Sequence, residues 1–192
     1  MAVIAASYVS FRAVFFFSSY IFGIWIYSHK LKRIPLIGNF ISATLAITPF
    51  FVVFVYYRNF ETVIFVHAFF LFLLILAREM IKDLENLSGD IAQNYKTIPI
   101  IYGARTSKII ITLLILLTLL PSLLLIFKFD VGYMNFYFAT CVLLLVLFIF
   151  LLSRAETKKD YVWLHNILKL IIVVGVFSIL LIDVHLVLNR IL

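Results

Sequence analysis

The chain has 192 residues and one cysteine; 65% of it is apolar and only 13% is Asp, Glu, Lys or Arg. A soluble domain carries about 25% charged residues, so with a mean hydropathy of +1.17 this chain cannot cover a water-facing surface, and soluble or disordered folds are excluded. The formal net charge of +7 comes from basic residues that flank apolar runs without forming an aromatic-interleaved patch. Lipid headgroups or an anionic substrate are therefore the expected partners, and nucleic acid is not.

Met1 is followed by Ala2, Val3 and Ile4 with no basic stretch, so no cleaved leader is expected. Six apolar runs follow, at about 9–27, 37–57, 62–77, 109–127, 133–152 and 164–188. A spanning helix needs about 20 such residues. Membrane-barrel strands would alternate polar and apolar residues, whereas Phe69 to Leu76 is apolar throughout. The expected fold is all-α: a polytopic transmembrane helix bundle of about six spans, with residues 1–192 as one membrane domain. Tyr27, Tyr56, Tyr57, Tyr133, Tyr161 and Trp163 fall near run ends, as an aromatic belt would.

Three connections are basic. The first carries Lys30, Lys32 and Arg33, the second Arg78, Lys82, Lys96, Arg105 and Lys108, and the third Arg154, Lys158 and Lys159. The positive-inside rule puts these eleven on the cytoplasmic side and both termini outside. The links 58–61 and 128–132 are short, so the stretch 78–108 is expected as the long cytoplasmic loop that carries function.

Inside the runs, polar residues have plain readings. Cys141 sits in Leu- and Val-rich sequence as an inert apolar residue. His67 is read as a helix-packing hydrogen bonder before a ligand. Lys169 and Asp183 are about 21 Å apart along one helix, too far to pair, so each snorkels to its own interface.

Four of the nine acidic residues, Glu79, Asp83, Glu85 and Asp90, fall together after the third run, and no aspartate precedes Asp83. Were the helix to continue, Glu79, Asp83, Asn86 and Asp90 would share an arc of about 60°, with Glu85 facing away. Grouped oxygens of this kind suit Mg²⁺, which takes one or two carboxylates and is completed by substrate phosphates. The same spacing also describes a solvated helix end, with Arg78 and Lys82 pairing Glu79 and Asp83.

The string Arg78-Glu79-Met80-Ile81-Lys82-Asp83-Leu84-Glu85-Asn86-Leu87-Ser88-Gly89-Asp90, followed by Lys96-Thr97-Ile98-Pro99 and Gly103, resembles the second aspartate-rich motif of the UbiA-type intramembrane prenyltransferases. That pattern is approximately R-E-x-x-K-D-x-x-D-x-x-x-D, then K-T-[LI]-P-x-x-x-G. Asn86 stands where the family has an aspartate. The stretch from Tyr27 through Leu31-Lys32-Arg33 to Gly38-Asn39 is similar to the family's first-loop motif. The nearest likenesses are branches making prenyl glycerol ethers, such as geranylgeranylglycerol-phosphate geranylgeranyltransferases, or prenylated quinones.

The resemblance implies a shortened version of a nine-helix fold. It also implies Mg²⁺-dependent transfer of a prenyl group from an allylic diphosphate to a lipid or aromatic acceptor. Asp83 and Asp90 would be the catalytic carboxylates, and Asp83, Asn86 and Asp90 the metal ligands. Tyr27, Lys30, Lys32, Arg33 and Lys96 would contact the diphosphate, although Lys30, Lys32 and Arg33 serve equally as topology determinants, Lys96 as a solvated residue and Tyr27 as a belt residue. The family's first motif, N-D-x-x-D-like, is absent before Asp83. The expectation is therefore the carboxyl-terminal two thirds of such an enzyme, in a prokaryotic cytoplasmic membrane and prone to associate along its open flank. The alternative is an inactive family derivative acting as an assembly or structural partner.

Overall fold

The computed structural model describes residues 2–56, 58, 60–129 and 131–178. Tyr57, Asp183, Arg190 and positions 179–188 of the sixth run lie outside the described residues, as does the Tyr56 side chain. Among the described residues there are eight α-helices, one 3-10 turn and no strand. The helices are α1 (Ala2–Ser7), α2 (Phe11–His29), α3 (Ile37–Tyr56), α4 (Thr62–Glu85), α5 (Leu87–Ala92), α6 (Ile98–Phe127), α7 (Met134–Arg154) and α8 (Lys158–Ser178), with the turn at Leu31–Arg33. Helices α2, α4, α6, α7 and α8 are long and apolar enough to cross a membrane, and Ile37–Val52 is a shorter apolar helix. Each of the six runs thus has its helix.

The first run starts later than expected, because Ser10 caps α2 by accepting the Ala13 N–H at 3.2 Å. The preceding residues form the separate helix α1.

Helix α4 is central and packs against α3, α6 and α8, while α7 joins α6 and α8. Its apolar stripe Phe70, Leu73, Leu74, Ala77, Met80, Ile81 and Leu84 is buried. Because that stripe continues beyond Ala77, burial carries the helix to Glu85. The stretch 78–108, expected as a loop, is consequently mostly helical: the end of α4, then α5, then the start of α6. Helix α6 bends at Gly103, whose φ of 82° belongs to the left-handed region that glycine tolerates.

Of the isolated polar readings, that of Cys141 holds in the packing, that of His67 holds for its ring while its hydrogen bond stays within α4, and one belt residue departs from its reading. Cys141 is buried and free. The His67 ring lies 3.3 Å from the Val63 carbonyl and meets the Phe138 ring edge-on at 5.1 Å. Tyr161 is core, not belt: it is 6% exposed, and its hydroxyl donates to the Ala155 carbonyl at 3.3 Å. Of the five helices long and apolar enough to cross a membrane, α2 is the one with no buried residue among the described residues.

Candidate functional site

The polar site lies where the start of α3 meets the end of α4. Met80, Ile81 and Leu84 anchor one face of α4 in the core, which leaves Glu79 and Asp83 on another. Asn86 ends the helix with φ −100° and ψ 19°, so Asp90 belongs to α5. The continuous stack of Glu79, Asp83, Asn86 and Asp90 on one helix is thereby corrected. The physical reason is that asparagine competes poorly as an interior helix residue and closes α4 here. Asp83 and Asp90 nevertheless remain electrostatic neighbours across the break.

The four acids separate by partner. Glu79 is held by Arg78 at 3.0 Å and Lys82 at 3.6 Å, and it accepts from Ser42 Oγ at 3.3 Å. Glu85 turns away from the others and meets His165 Nδ1 of α8 at 2.8 Å. Asp83 Oδ2 accepts a 2.7 Å hydrogen bond from Asn39 Nδ2. Among the described residues, neither Asp83 nor Asp90 forms an ion pair within 4.0 Å.

The first-loop motif closes over this pair. Tyr27 lies beside Ser42, with Glu79, Asp83 and Tyr95 as its charged and polar neighbours. Lys32 Nζ sits 4.9 Å from the centre of the Tyr95 ring, a cation–π contact. Partial burial pushes the Asp90 carboxyl above the ordinary carboxylate range, opposed by Lys32, the nearby Thr97 side chain and Lys82. The Thr97 hydroxyl is buried and has no hydrogen-bond partner within 3.5 Å among the described residues.

A match to the UbiA prenyltransferase family model extends over residues 1–184. The chain belongs to the UbiA prenyltransferase family. It is 36% identical over 117 residues to a digeranylgeranylglyceryl phosphate synthase of Methanobrevibacter smithii, covering 58% of this chain and 41% of that one. It is 31% identical over 159 residues to the synthase of the same name from Thermococcus gammatolerans, covering 81% and 56%. The chain thus spans about half the length of the curated relatives it matches. A solved structure of a digeranylgeranylglyceryl phosphate synthase has the same fold, with a TM-score of 0.70, 23% identity, and coverage of 92% of this chain and 63% of that one. With its apolar helices, this UbiA-family chain is an integral, multi-pass membrane protein.

Of the residues singled out in the sequence, this UbiA-family fold gathers Tyr27, Lys32, Asp83 and Asp90. Asn86 is exposed at the helix break. Lys30, Arg33 and Lys96 are exposed and make no ion pair with a described residue. Asn39, Ser42, Tyr95 and His165 were not singled out for a role. Gly38-Asn39 carried a signal, being part of the first-loop motif, whereas His165 carried none. An apolar groove of about 610 Å³ between α7 and α8, lined by Tyr137, Cys141, Ile171 and Ser178 among others, lies toward the far end of α8 from His165.

Proposed function

We propose that this chain carries the second metal motif of a prenyltransferase that moves a prenyl group from an allylic diphosphate to an acceptor, with Mg²⁺ as cofactor. The observation that carries the reading is the contrast among four neighbouring acids. Glu79 is ion-paired by Arg78 and Lys82 and Glu85 is engaged by His165, while Asp83 and Asp90 have no such basic partner within 4.0 Å among the described residues.

The donor set fits one hard cation. No group of three or more His, Cys, Asp or Glu among the described residues is set to hold a metal alone. Mg²⁺ does not require one, since one or two carboxylates suffice when substrate phosphates and water complete the shell. Asp83, Asn86 and Asp90 would hold it, and the buried Thr97 hydroxyl would add a neutral oxygen beside Asp90. When bound, the ion meets the negative charge that builds on the leaving diphosphate.

The protein's own side chains do the rest. Lys32, beside Asp90, binds a diphosphate oxygen, and Lys30, Arg33 and Lys96 reach in from the margin. Transfer breaks the allylic C–O bond, with the electron pair leaving on the diphosphate; the acceptor atom forms the new bond and gives up its proton to the released diphosphate. Tyr27 presents a ring that stabilises positive charge on the prenyl carbon. The names of the relatives favour a geranylgeranylated glyceryl phosphate as acceptor over an aromatic one. Surrounding lipids are the solvent, the membrane is a prokaryotic cytoplasmic membrane, and the site faces the cytoplasm.

Binding of geranylgeranyl diphosphate, titrated with and without Mg²⁺, tests this. Asp83→Ala and Asp90→Ala should each abolish the metal-dependent part. Binding that a chelator leaves unchanged would refute the metal reading.

A further inference from the structure

We infer that Asn39 is a positioning residue for Asp83, fixing which carboxylate oxygen is offered to a divalent cation; this rests on the prenyl-transfer reading above. Asn39 is 8% exposed, and its Nδ2 donates to Asp83 Oδ2 at 2.7 Å. The partner lies on another helix, 44 positions away. With one acceptor site of Oδ2 engaged, Oδ1 is the freer oxygen to meet a cation, so the hydrogen bond favours one direction for the contact. The donor is also neutral. A lysine here would compete with a cation for the carboxylate, whereas an amide orients the group and leaves its charge available.

The backbone before Asn39 is shaped for this delivery. Leu36 adopts φ 62°, an unfavourable conformation for a residue with a Cβ. Gly38 follows, and a Cβ there would lie 3.0 Å from the Leu31 carbonyl oxygen and 3.2 Å from that of Lys32. The first turn of α3 is thus pressed against the turn that carries Lys32. One loop thereby positions both a diphosphate contact and the support for a metal ligand. Groups that orient metal ligands typically change metal affinity 10–100-fold when lost.

The test uses the full chain in lipid nanodiscs, geranylgeranyl diphosphate as probe, and Mg²⁺ half-saturation and thermal midpoint as readouts. Asn39→Leu should raise the Mg²⁺ concentration for half-saturation about tenfold or more. In an Asp83→Asn background the same substitution should change it by no more than about twofold, the coupling expected of a touching pair. The exchange Asn39→Asp/Asp83→Asn retains a hydrogen bond but moves the charge to α3. It should keep the wild-type thermal midpoint without restoring Mg²⁺ affinity, and it carries the test if Asn39→Leu does not fold. Equal effects of Asn39→Leu with and without Asp83, no effect at all, or full Mg²⁺ affinity in the exchange variant would overturn the positioning role alone. Wild-type binding that is indifferent to Mg²⁺ would overturn the prenyl-transfer reading, and the positioning role with it.

Discussion

Glu85 Oε2 and His165 Nδ1 lie 2.8 Å apart, joining the last turn of α4 to the first turns of α8 across 80 positions. Both side chains are mostly buried, at 19% and 17% exposed, so the bond is shielded from competing water. Glu85 nonetheless points away from Asp83. Glu85→Ala should therefore leave Mg²⁺-dependent diphosphate binding within about twofold while costing about 1–3 kcal/mol of stability, the penalty for stranding a buried partner. His165→Leu should cost a similar amount. Chemical denaturation in detergent and a binding titration on the same preparations separate the two effects, and a loss of binding at full stability would put Glu85 in the metal site.

The sidedness of the bundle has its own test. Single cysteines at Ser88 and Asn135, in a Cys141→Ala background, mark the α5 segment and the start of α7. Cys141 is only 1% exposed, so its removal should alter the surface little. A membrane-impermeant thiol reagent should label the two positions from opposite sides, Ser88 from the cytoplasm. Labelling of both from one side contradicts the orientation drawn from the basic connections.

Gly175 supports the α7–α8 contact at the other end of the bundle. A Cβ there would lie 2.5 Å from the Tyr137 hydroxyl oxygen, which donates to the Ile171 carbonyl at 3.0 Å. Gly175→Ala forces that hydroxyl to move and leaves a buried polar group short of its partner, at a cost of about 1–3 kcal/mol. Gly175→Ala combined with Tyr137→Phe should recover part of the loss, because the phenyl ring has no hydroxyl to displace. Thermal midpoints of the single and double variants measure this.

The helices were legible because continuous apolarity and length decide them locally, and the motif spacing marked Asp83 and Asp90 as functional candidates. What sequence could not provide was adjacency. Asn39 and Asp83, Lys32 and Tyr95, and Glu85 and His165 meet only because α3 and α8 both pack on α4 and the first loop meets the connection between α5 and α6. Asn86 shows a local failure of another kind. Helical spacing alone runs the arc straight through it only if the helix continues, whereas the chain turns there and Asp90 returns to Asp83 from a separate helix. Tyr161 was read by its place at a run end, while Leu164 and Leu168, one and two turns on, continue the buried stripe that draws it inward.

The 192 residues by themselves should bind a prenyl diphosphate more readily than they turn it over. Binding requires counter-charge, and in the proposed reading Asp83 and Asp90 with a metal, together with Lys32 and the exposed bases, would supply that from one side. Ionising the allylic C–O bond requires more, because the charge must be met where it develops and water must be kept from the prenyl cation. Helix α2 has no buried residue along its length, so the bundle is open on that flank, and 37% of the solved synthase has no counterpart in the matched region, which covers 63% of it. That exposed flank would admit lipid or water, and it also leaves a face on which a second copy could pack. Purified chain assayed with geranylgeranyl diphosphate, Mg²⁺ and geranylgeranylglyceryl phosphate or aromatic acceptors should show turnover far below about 1 s⁻¹. Turnover at that rate or above would mean that these six apolar helices close a competent cavity unaided, and a dependence of rate on the square of protein concentration would assign the closure to a dimer.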